Sequence, residues 1–513
     1  MYYGEGNGGP HFPNLPVAYI LNDTIRNDTS KDELVDGLCG DHFHPEGIEF
    51  IDYIVAQSWG LWDPTRKGFA AAVGKEKTKE KTECEVKAQQ NIVYNLSIYD
   101  LSETTRLSWY SSDDDIKMCI VKGKDEDLCQ NYIRVLAIPS QGSLLCCGTN
   151  AFRPLCRTYS INGNNYTQEL EKPGQAMCPY DPTHNSTAVF VDNELYSGTV
   201  ADFSGLDPII YREHLQTEQY DSLSLNAPNF VGSFTQSDFV YFFFRETAVE
   251  FINCGKSIFS RVARVCKWDK GGPNRLKNRW TSYLKSRLNC SMPGDFPFYF
   301  DEIQSTSNLV EGRYGHANSK LIYGVFSTAP NAIAGSAICA FSLQDISDTF
   351  EGNFKEQSGL NSNWLPVNPL NVPDPRPGSC HNDSRTLPDL TLNFKKTHSL
   401  MDETVPAFFG SPILTRVSTM YRFTAIAVDP QIKTPGGKTY DVVFVGTDHG
   451  KILKTVNAES ADSNKKVTSV VIEEIDALQT NEPIRTLEIV RTTQYGKDLL
   501  FSLLPKKTNK QSS

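Results

Sequence analysis

No run of about 20 apolar residues occurs anywhere in the 513-residue chain, so a membrane-spanning helix is excluded and no direct membrane insertion by this chain is expected. Positive charge is also in short supply. Fifty Lys and Arg stand against 61 Asp and Glu, and a net charge of −11 repels phosphate backbones and anionic lipid at long range. Nucleic acid is therefore not an expected partner. The catalytic motifs that can be read from sequence are missing as well: there is no HExxH, GxSxG, Walker A or kinase set, and no repeated Asp-box. The cysteines lack the paired CxxC spacing of tetrahedral zinc sites. The opening residues, MYYGEGNGGP, lack the charged and apolar regions of a secretion signal.

Cysteine itself is plentiful. Thirteen are too many for a typical cytosolic protein without metal, and disulfides account for them better. Asn-x-Ser/Thr sequons at Asn22, Asn27, Asn95, Asn165, Asn185, Asn289 and Asn382 agree with an exported glycoprotein.

From about residue 91 the chain is a succession of short apolar runs rich in Val, Ile, Tyr and Phe, punctuated by Gly, Pro, Asn and Asp, as in DFVYFFFRETAVEFI and YDVVFVGTDHGKILKTV. Each reads as a strand or hairpin. Four hundred residues of antiparallel sheet exceed a single sandwich, and radial repetition covers most strand edges, so a β-propeller is the leading all-β architecture. Two segments break the pattern. LQDISDTFEGNF puts Leu343, Ile346 and Phe350 on one helical face, and LPDLTLNFKKTHSLMDE has Pro388 at a first helical position with Leu390 and Phe394 four apart. A proline-rich stretch lies between them, and residues 343–405 read as a partly helical insertion. For residues 282–290 a strand with Leu284, Leu288 and Cys290 on one face is preferred over a helix.

Isolated chemical motifs reduce to simpler readings. GEGNGG has no strand before it and Pro10 after it, so it reads as a flexible terminus rather than a dinucleotide loop. DHFHPE, with His42 and His44, reads as a plain loop. Asp113, Asp114 and Asp115 read as a solvated turn, because a calcium loop also needs a Gly turn and a terminal Glu. The basic run NRLKNRWTSYLKSR at 274–287 reads as a solvated face, with polyanion contact second. Asp448 and His449 sit at the tip of a hairpin whose turn, Thr447 to Gly450, uses Gly450 for positive φ; turn chemistry explains them without catalysis.

Taken in order, CQNYIRVLAIPSQGSLLCCGTNAFRPLC, CPYDPTHNSTAVFVDNELYSGTVADFSG, YREHLQTEQYDSLSLNAPNF, DFVYFFFRETAVEFINCGK, RVARVCKWDKGG, RWTSYLKSRLNCSMPGD, GSAICAFSLQDISDTFEG, VPDPRPGSC and YDVVFVGTDHGKILK resemble the sema domain of semaphorins, especially the invertebrate transmembrane class 1. The resemblance covers about 91–496. It implies an all-β, seven-bladed β-propeller with a helical insertion, no cofactor and no enzymatic activity. It also implies an extracellular or cell-surface guidance ligand that binds a plexin receptor, usually as a homodimer, in axon guidance and cell repulsion. A sema-domain receptor ectodomain and an exported propeller hydrolase are the alternatives.

The same resemblance implies disulfides Cys119–Cys129, Cys147–Cys156, Cys266–Cys380 and Cys290–Cys339. Cys39, Cys84, Cys146, Cys178 and Cys254 are left over, with Cys254 the candidate for an inter-chain bridge and Cys178 its intrachain competitor. Tyr220, Asp221, Lys396 and His398 are expected to face the receptor. Residues 1–90 and 497–513 fall outside the resemblance; 1–90 reads as a disordered or aberrant segment, and the ring is expected to be incomplete at both chain ends.

Overall fold

The computed structural model describes residues 84–89, 91–97, 103–252, 255–359, 362–478, 482–491 and 498–503. Among the described residues, seven of nine antiparallel sheets follow one another as blades along this length, the other two being the small hairpins Ser291–Met292 with Phe298–Tyr299 and Lys355–Gln357 with Trp364–Pro366. The first comprises Cys84–Gln89, Ile92–Ser97 and Glu103–Ser108, so six residues of the unmatched segment pair as a strand. Sheets two to six open at Ile133–Ala137, Thr187–Val191, Asn229–Gln236, Glu302–Thr306 and Phe423–Lys433, and the seventh is the hairpin Thr486–Arg491 with Asp498–Leu503. The opening strand of each sheet contacts the opening strand of the next, from the first sheet to the seventh. Sheets whose opening strands are successive neighbours in this way stand around a common axis, and that arrangement is a propeller.

The run Phe239–Thr247 shows why the sequence folds this way. Its first six residues, Phe239 to Phe244, are all apolar or aromatic, so it cannot have one wet face. Val240, Phe242 and Phe244 point into a core shared with Val189, Tyr196 and Ile210 of sheet three, whereas Tyr241 and Phe243 point into a core shared with Ile303, Ile322 and Phe326 of sheet five. Alternation with both faces buried is what a blade between two blades requires. Thr439–Thr447 repeats the device: Val443 and Val445 face sheet five, Val442 and Phe444 face sheet seven. Polar contacts lock adjacent blades too. The buried Asp441 carboxylate of sheet six accepts from the hydroxyls of Tyr314, at 2.5 Å, and Tyr323, at 2.6 Å, of sheet five.

The insertion leaves sheet five after Gly335–Ser342 and returns at Leu414–Val417, later than the expected residue 405. Its first helix, α1 in the insertion (Leu343–Glu351), is capped by Ser342 and buries Ile346 and Phe350 in the core between sheets four and five. The second, α2 (Asp389–Thr397), begins one residue after Pro388, which is its N-cap. Its buried face carries Thr391, Leu392 and Lys395, while Leu390 is exposed, so the expected Leu390–Phe394 face is off by part of a turn.

Residues 399–405 then run beside the outer strand of sheet four, Leu284–Arg287. Lys285 donates to the Ser399 carbonyl and accepts from Met401, and Val405 bridges Arg287 and Asn289. The insertion thereby covers a strand edge that would otherwise be open to another chain. Gly378 approaches the same strand so closely that an added Cβ would lie 2.4 Å from the Leu284 side chain.

Two readings are corrected by these contacts. The acidic run Asp113–Asp115 is the first turn of a helix, Asp113–Val121, capped by Ser112, with Asp115 paired to Arg153 at 3.0 Å; carboxylates there complement the helix dipole. The basic run 274–287 is not a solvated face, because Trp280 and Lys285 are fully buried and only Arg275, Lys277 and their immediate neighbours face outward.

The Asp448–His449 pair sits at the hairpin tip between Thr439–Thr447 and Lys451–Asn457, with Gly450 at φ 73°. Asp448 accepts from the Arg422 amide at 2.7 Å and lies 2.8 Å from His449 Nδ1, so its carboxylate pins the turn to the start of its own blade.

Candidate interaction site

The four disulfides are Cys119–Cys129, Cys147–Cys156, Cys266–Cys380 and Cys290–Cys339, the pairs that the resemblance implies. Cys146 and Cys178 are buried free thiols, and burial pushes the Cys178 thiol up to about 12 despite nearby Arg134. Cys178 is thus shut inside the core between sheets two and three. Cys254, Cys39, Asn22 and Asn27 lie outside the described residues. Among the sequons, Asn165, Asn185 and Asn382 are exposed, whereas Asn95 and Asn289 are half-buried with side-chain oxygens out of solvent.

Tyr220 and Asp221 belong to the loop after the short strand Leu215–Gln216, and Lys396 and His398 end α2, some 175 residues later. Three sets of contacts bring them to one face. Arg279 clamps the first loop through the Thr217 carbonyl at 2.9 Å and the Glu218 carboxylate at 3.3 Å. Lys395 of α2 donates to the Trp280 carbonyl, one residue on, at 2.8 Å. Ser399 reaches the Leu223 carbonyl at 3.4 Å. The three segments enclose a shallow cleft lined by Glu218, Leu276, Arg279, Trp280, Lys395 and Lys396.

Within this face the predicted residues differ in freedom. Tyr220 is 70% exposed and adopts φ +53°, a conformation that non-glycine residues hold only when their surroundings impose it. The imposition comes from Asp207, whose carboxylate accepts from the Tyr220 amide and from the Gln219 side chain. Asp221 is half-buried and caps its own turn by accepting from Leu223 N at 3.1 Å. Lys396 is exposed and makes no ion pair among the described residues. His398 is the least free. Its ring stacks on Phe394 at 4.1 Å, Nε2 lies 3.2 Å from Glu356, and Nδ1 faces the Phe394 carbonyl.

Lys395 was not singled out from sequence, although its i, i+3 spacing from Leu392 puts it on the buried side. Burial pushes its ammonium down to about 8, against the attraction of Glu218, Asp269 and Asp221. Between about pH 8 and the unfolded value of 10.5 the unfolded chain binds more protons at this position, so its contribution to stability becomes more favourable as pH rises through that window. Lys395→Met is expected to match or exceed the parent in stability at pH 7 and to remove this rise, worth at most about 3 kcal/mol. Melting curves of parent and variant from pH 7 to 11 check it; parallel curves would show that the amine does not titrate in that range.

Elsewhere, an apolar stripe crosses the rim of sheet four. Phe251 packs against Phe259 at 5.4 Å, Arg287 lies over both Phe259 and Tyr299, and the adjoining hairpin exposes Phe296 at 96% and Phe298 at 46%. Among the described residues no three His, Cys, Asp or Glu side chains converge as a metal site would need. No helix among them is long and apolar enough to cross a membrane.

Comparison with known proteins is specific. The Sema domain profile matches residues 303–491. Semaphorin-1A of Drosophila melanogaster is 77% identical over 408 residues, covering 80% of this chain and 45% of that protein. Semaphorin-1A of Schistocerca americana is 60% identical over 404 residues, 78% of this chain and 55% of its own length. The chain therefore spans about half the length of the curated relatives it matches.

Among solved structures, extracellular domains 1–2 of Drosophila Semaphorin 1a superpose with a TM-score of 0.75 at 75% identity, covering 79% of this chain and 80% of that one. A structure described as Drosophila Plexin A in complex with Semaphorin 1b matches with a TM-score of 0.77 at 46% identity, covering 88% of this chain and 86% of the other.

Proposed function

From the premise that this chain belongs to the semaphorin family, we propose that it is an extracellular, non-enzymatic guidance ligand that binds a plexin receptor through the face formed by the Tyr220 loop and the end of α2. The observation that carries this reading is the match over 88% of the chain to a structure of Plexin A in complex with Semaphorin 1b. Tyr220 supplies an exposed aromatic anchor held in one conformation, and Lys396 and Asp221 supply charges of opposite sign beside it. Aromatic side chains such as Tyr dominate interface energy because they bury a large area at low entropy cost, and a lysine charge beside one contributes steering and specificity. His398, braced between Phe394 and Glu356, fixes the end of the helix and closes the patch.

The partner in cis is a second copy of this chain. The stripe of Phe251, Phe296, Phe298 and Tyr299 is the exposed apolar surface such a copy would bury, and Cys254, which lies outside the described residues, is the candidate for an inter-chain bridge. Guidance by repulsion of cells and axons is the output we assign to the receptor complex.

Surface plasmon resonance against a plexin A-type ectodomain tests the reading. Lys396→Glu is expected to weaken binding at least about tenfold, and Tyr220→Ala about thirtyfold, with melting temperature unchanged because both side chains are exposed. Unchanged affinity in both variants would place the receptor on another face.

A further inference from the structure

A group of cations surrounds the loop 267–277. Lys270, Arg275, Lys277 and Arg385 are exposed, and Lys396 continues the group along the cleft. They come from two stretches more than a hundred residues apart and are held together by buried polar contacts. Ser384 Oγ accepts from the Lys270 amide at 2.8 Å and donates to the Gly271 carbonyl at 2.9 Å. Leu276 and Lys396 line one cleft, and Cys266–Cys380 ties the two stretches covalently.

The carboxylates that could neutralise this group are occupied elsewhere. Asp269 is buried and accepts from Gly271, Thr281 and Ser282, and Glu218 is committed to Arg279. None of the five cations makes an ion pair among the described residues, and the exposed carboxylates near them are Asp383, Asp389 and Asp238, the last of which accepts from the Trp268 indole. Solvated faces normally intersperse the two signs, so a rigid cluster of one sign in an acidic protein is a departure. Beside it, Trp268 is 53% exposed, with its indole nitrogen held by Asp238 at 3.1 Å.

We infer that this cluster binds a sulfated glycosaminoglycan. Sulfates spaced along a linear chain meet the cations of Lys270, Arg275, Lys277 and Arg385, and the flat apolar face of a sugar ring lies against Trp268. The chain's overall negative charge opposes any polyanion at long range, so contact depends on the local cluster, and a nucleic acid is the lesser candidate because the extracellular setting does not supply it. The inference rests on that setting and not on the choice of receptor, and the disposition of the patch beside Lys396 makes the polysaccharide a means of holding the ligand on a cell surface within reach of a receptor.

The test uses the full chain on immobilised heparin, with chemically desulfated heparin and single-stranded DNA of similar charge as competitors. Lys270→Ala, Arg275→Ala, Lys277→Ala and Arg385→Ala are combined, leaving Lys396 unchanged so that receptor binding is scored separately. The combined variant is expected to bind heparin at least about tenfold more weakly at 0.1 M salt, and the slope of log affinity against log salt should flatten by roughly 3, near 0.7 per lost contact. Trp268→Ala should weaken binding several-fold with the slope unchanged.

Neutralising Lys433, Lys465 and Lys466, which are remote in the sixth sheet and its loop, should leave binding at the parent level. Parent-level heparin binding by the four-site variant overturns the assignment of the patch. Equal competition by DNA and heparin, or by desulfated and native heparin, overturns the assignment of the ligand.

Discussion

Glu246→Ala is expected to destabilise the protein by about 3–5 kcal/mol, because it leaves two buried cations with one carboxylate between them. Glu246, Arg261 and Lys285 are fully buried on three adjacent strands of the fourth sheet. Glu246 Oε1 accepts from Arg261 Nε at 3.0 Å and from Lys285 Nζ at 2.6 Å, and Oε2 accepts from the Asn226 amide at 3.0 Å. Arg261 makes a second, two-pronged pair with Glu250, at 2.8 and 2.7 Å. Two cations and two anions therefore balance in a dry interior. Removing Glu246 leaves Lys285 with no carboxylate of its own, and burial already pushes that ammonium down even with Glu246 present.

Charge and shape can be separated by three variants. Glu246→Gln keeps the volume and an acceptor for Asn226, so most of the loss should persist if the charge imbalance causes it. Adding Lys285→Met restores one cation against one anion, and the double variant should recover 1 kcal/mol or more relative to additivity. Equilibrium unfolding in urea measures all three; a Glu246→Gln chain as stable as the parent would sink the account.

The network also sets an acid limit. Burial would raise the Glu250 carboxyl, but Arg261 outweighs it and holds the group at about 2, below the ordinary 4.5. Its contribution is complete above pH 4.5 and is lost as pH falls toward 2. Lys285 bonds through its backbone to Ser399 and Met401, so loosening this core also loosens the segment that follows Lys396. Receptor affinity should fall with stability in Glu246→Ala, and recover partly in the double variant.

How far these features could be read beforehand depends on what decides them. The propeller was legible because strand patterns survive as local runs: DFVYFFFRE announces a strand with two buried faces whatever lies beside it. The strand Leu284–Arg287 was legible for the same reason, with Leu284, Leu288 and Cys290 in one core. Lys285 in that strand was not. Its burial depends on Glu246, nearly forty residues away, and nothing in SYLKSRL distinguishes it from a solvated lysine.

Asp113 to Asp115 misled in the opposite way, because acidic residues suit a turn and a helix N-terminus equally and only the cap at Ser112 decides. Leu390 was assigned to the buried face on spacing alone; contact with the Trp280 segment turned α2 so that Leu392 and Lys395 face inward. The adjacency of Tyr220 and Lys396 is a tertiary fact carried by Arg279, Trp280 and Ser399, and no pattern within either segment contains it.

The second large effect is expected from Cys266→Ser with Cys380→Ser. In the chain-entropy model a bond closing 114 residues stabilises by close to 5 kcal/mol. The Cys290–Cys339 bond lies inside that loop and shortens the covalent path between Cys266 and Cys380 to about 65 residues, which still leaves roughly 4 kcal/mol because the dependence is logarithmic. Most of this should appear as detachment of the insertion. Cys380 sits in its proline-rich stretch, where Arg376 donates to the carbonyls of Phe350 and Gly352, both inside the insertion, while Val367 and Gly378 make the packing contacts with the blade.

Limited proteolysis of the double-Ser chain should therefore cut within 352–380 at protease levels that spare the parent, and plexin and heparin binding should weaken together, since Lys396 and Arg385 both lie C-terminal to the lost bond. If the chain stays resistant but melts below the parent, the pairing of 399–405 with Leu284–Arg287 is sufficient to hold the insertion, and the disulfide acts through the unfolded state alone; melting with the parent would overturn the expected stabilisation.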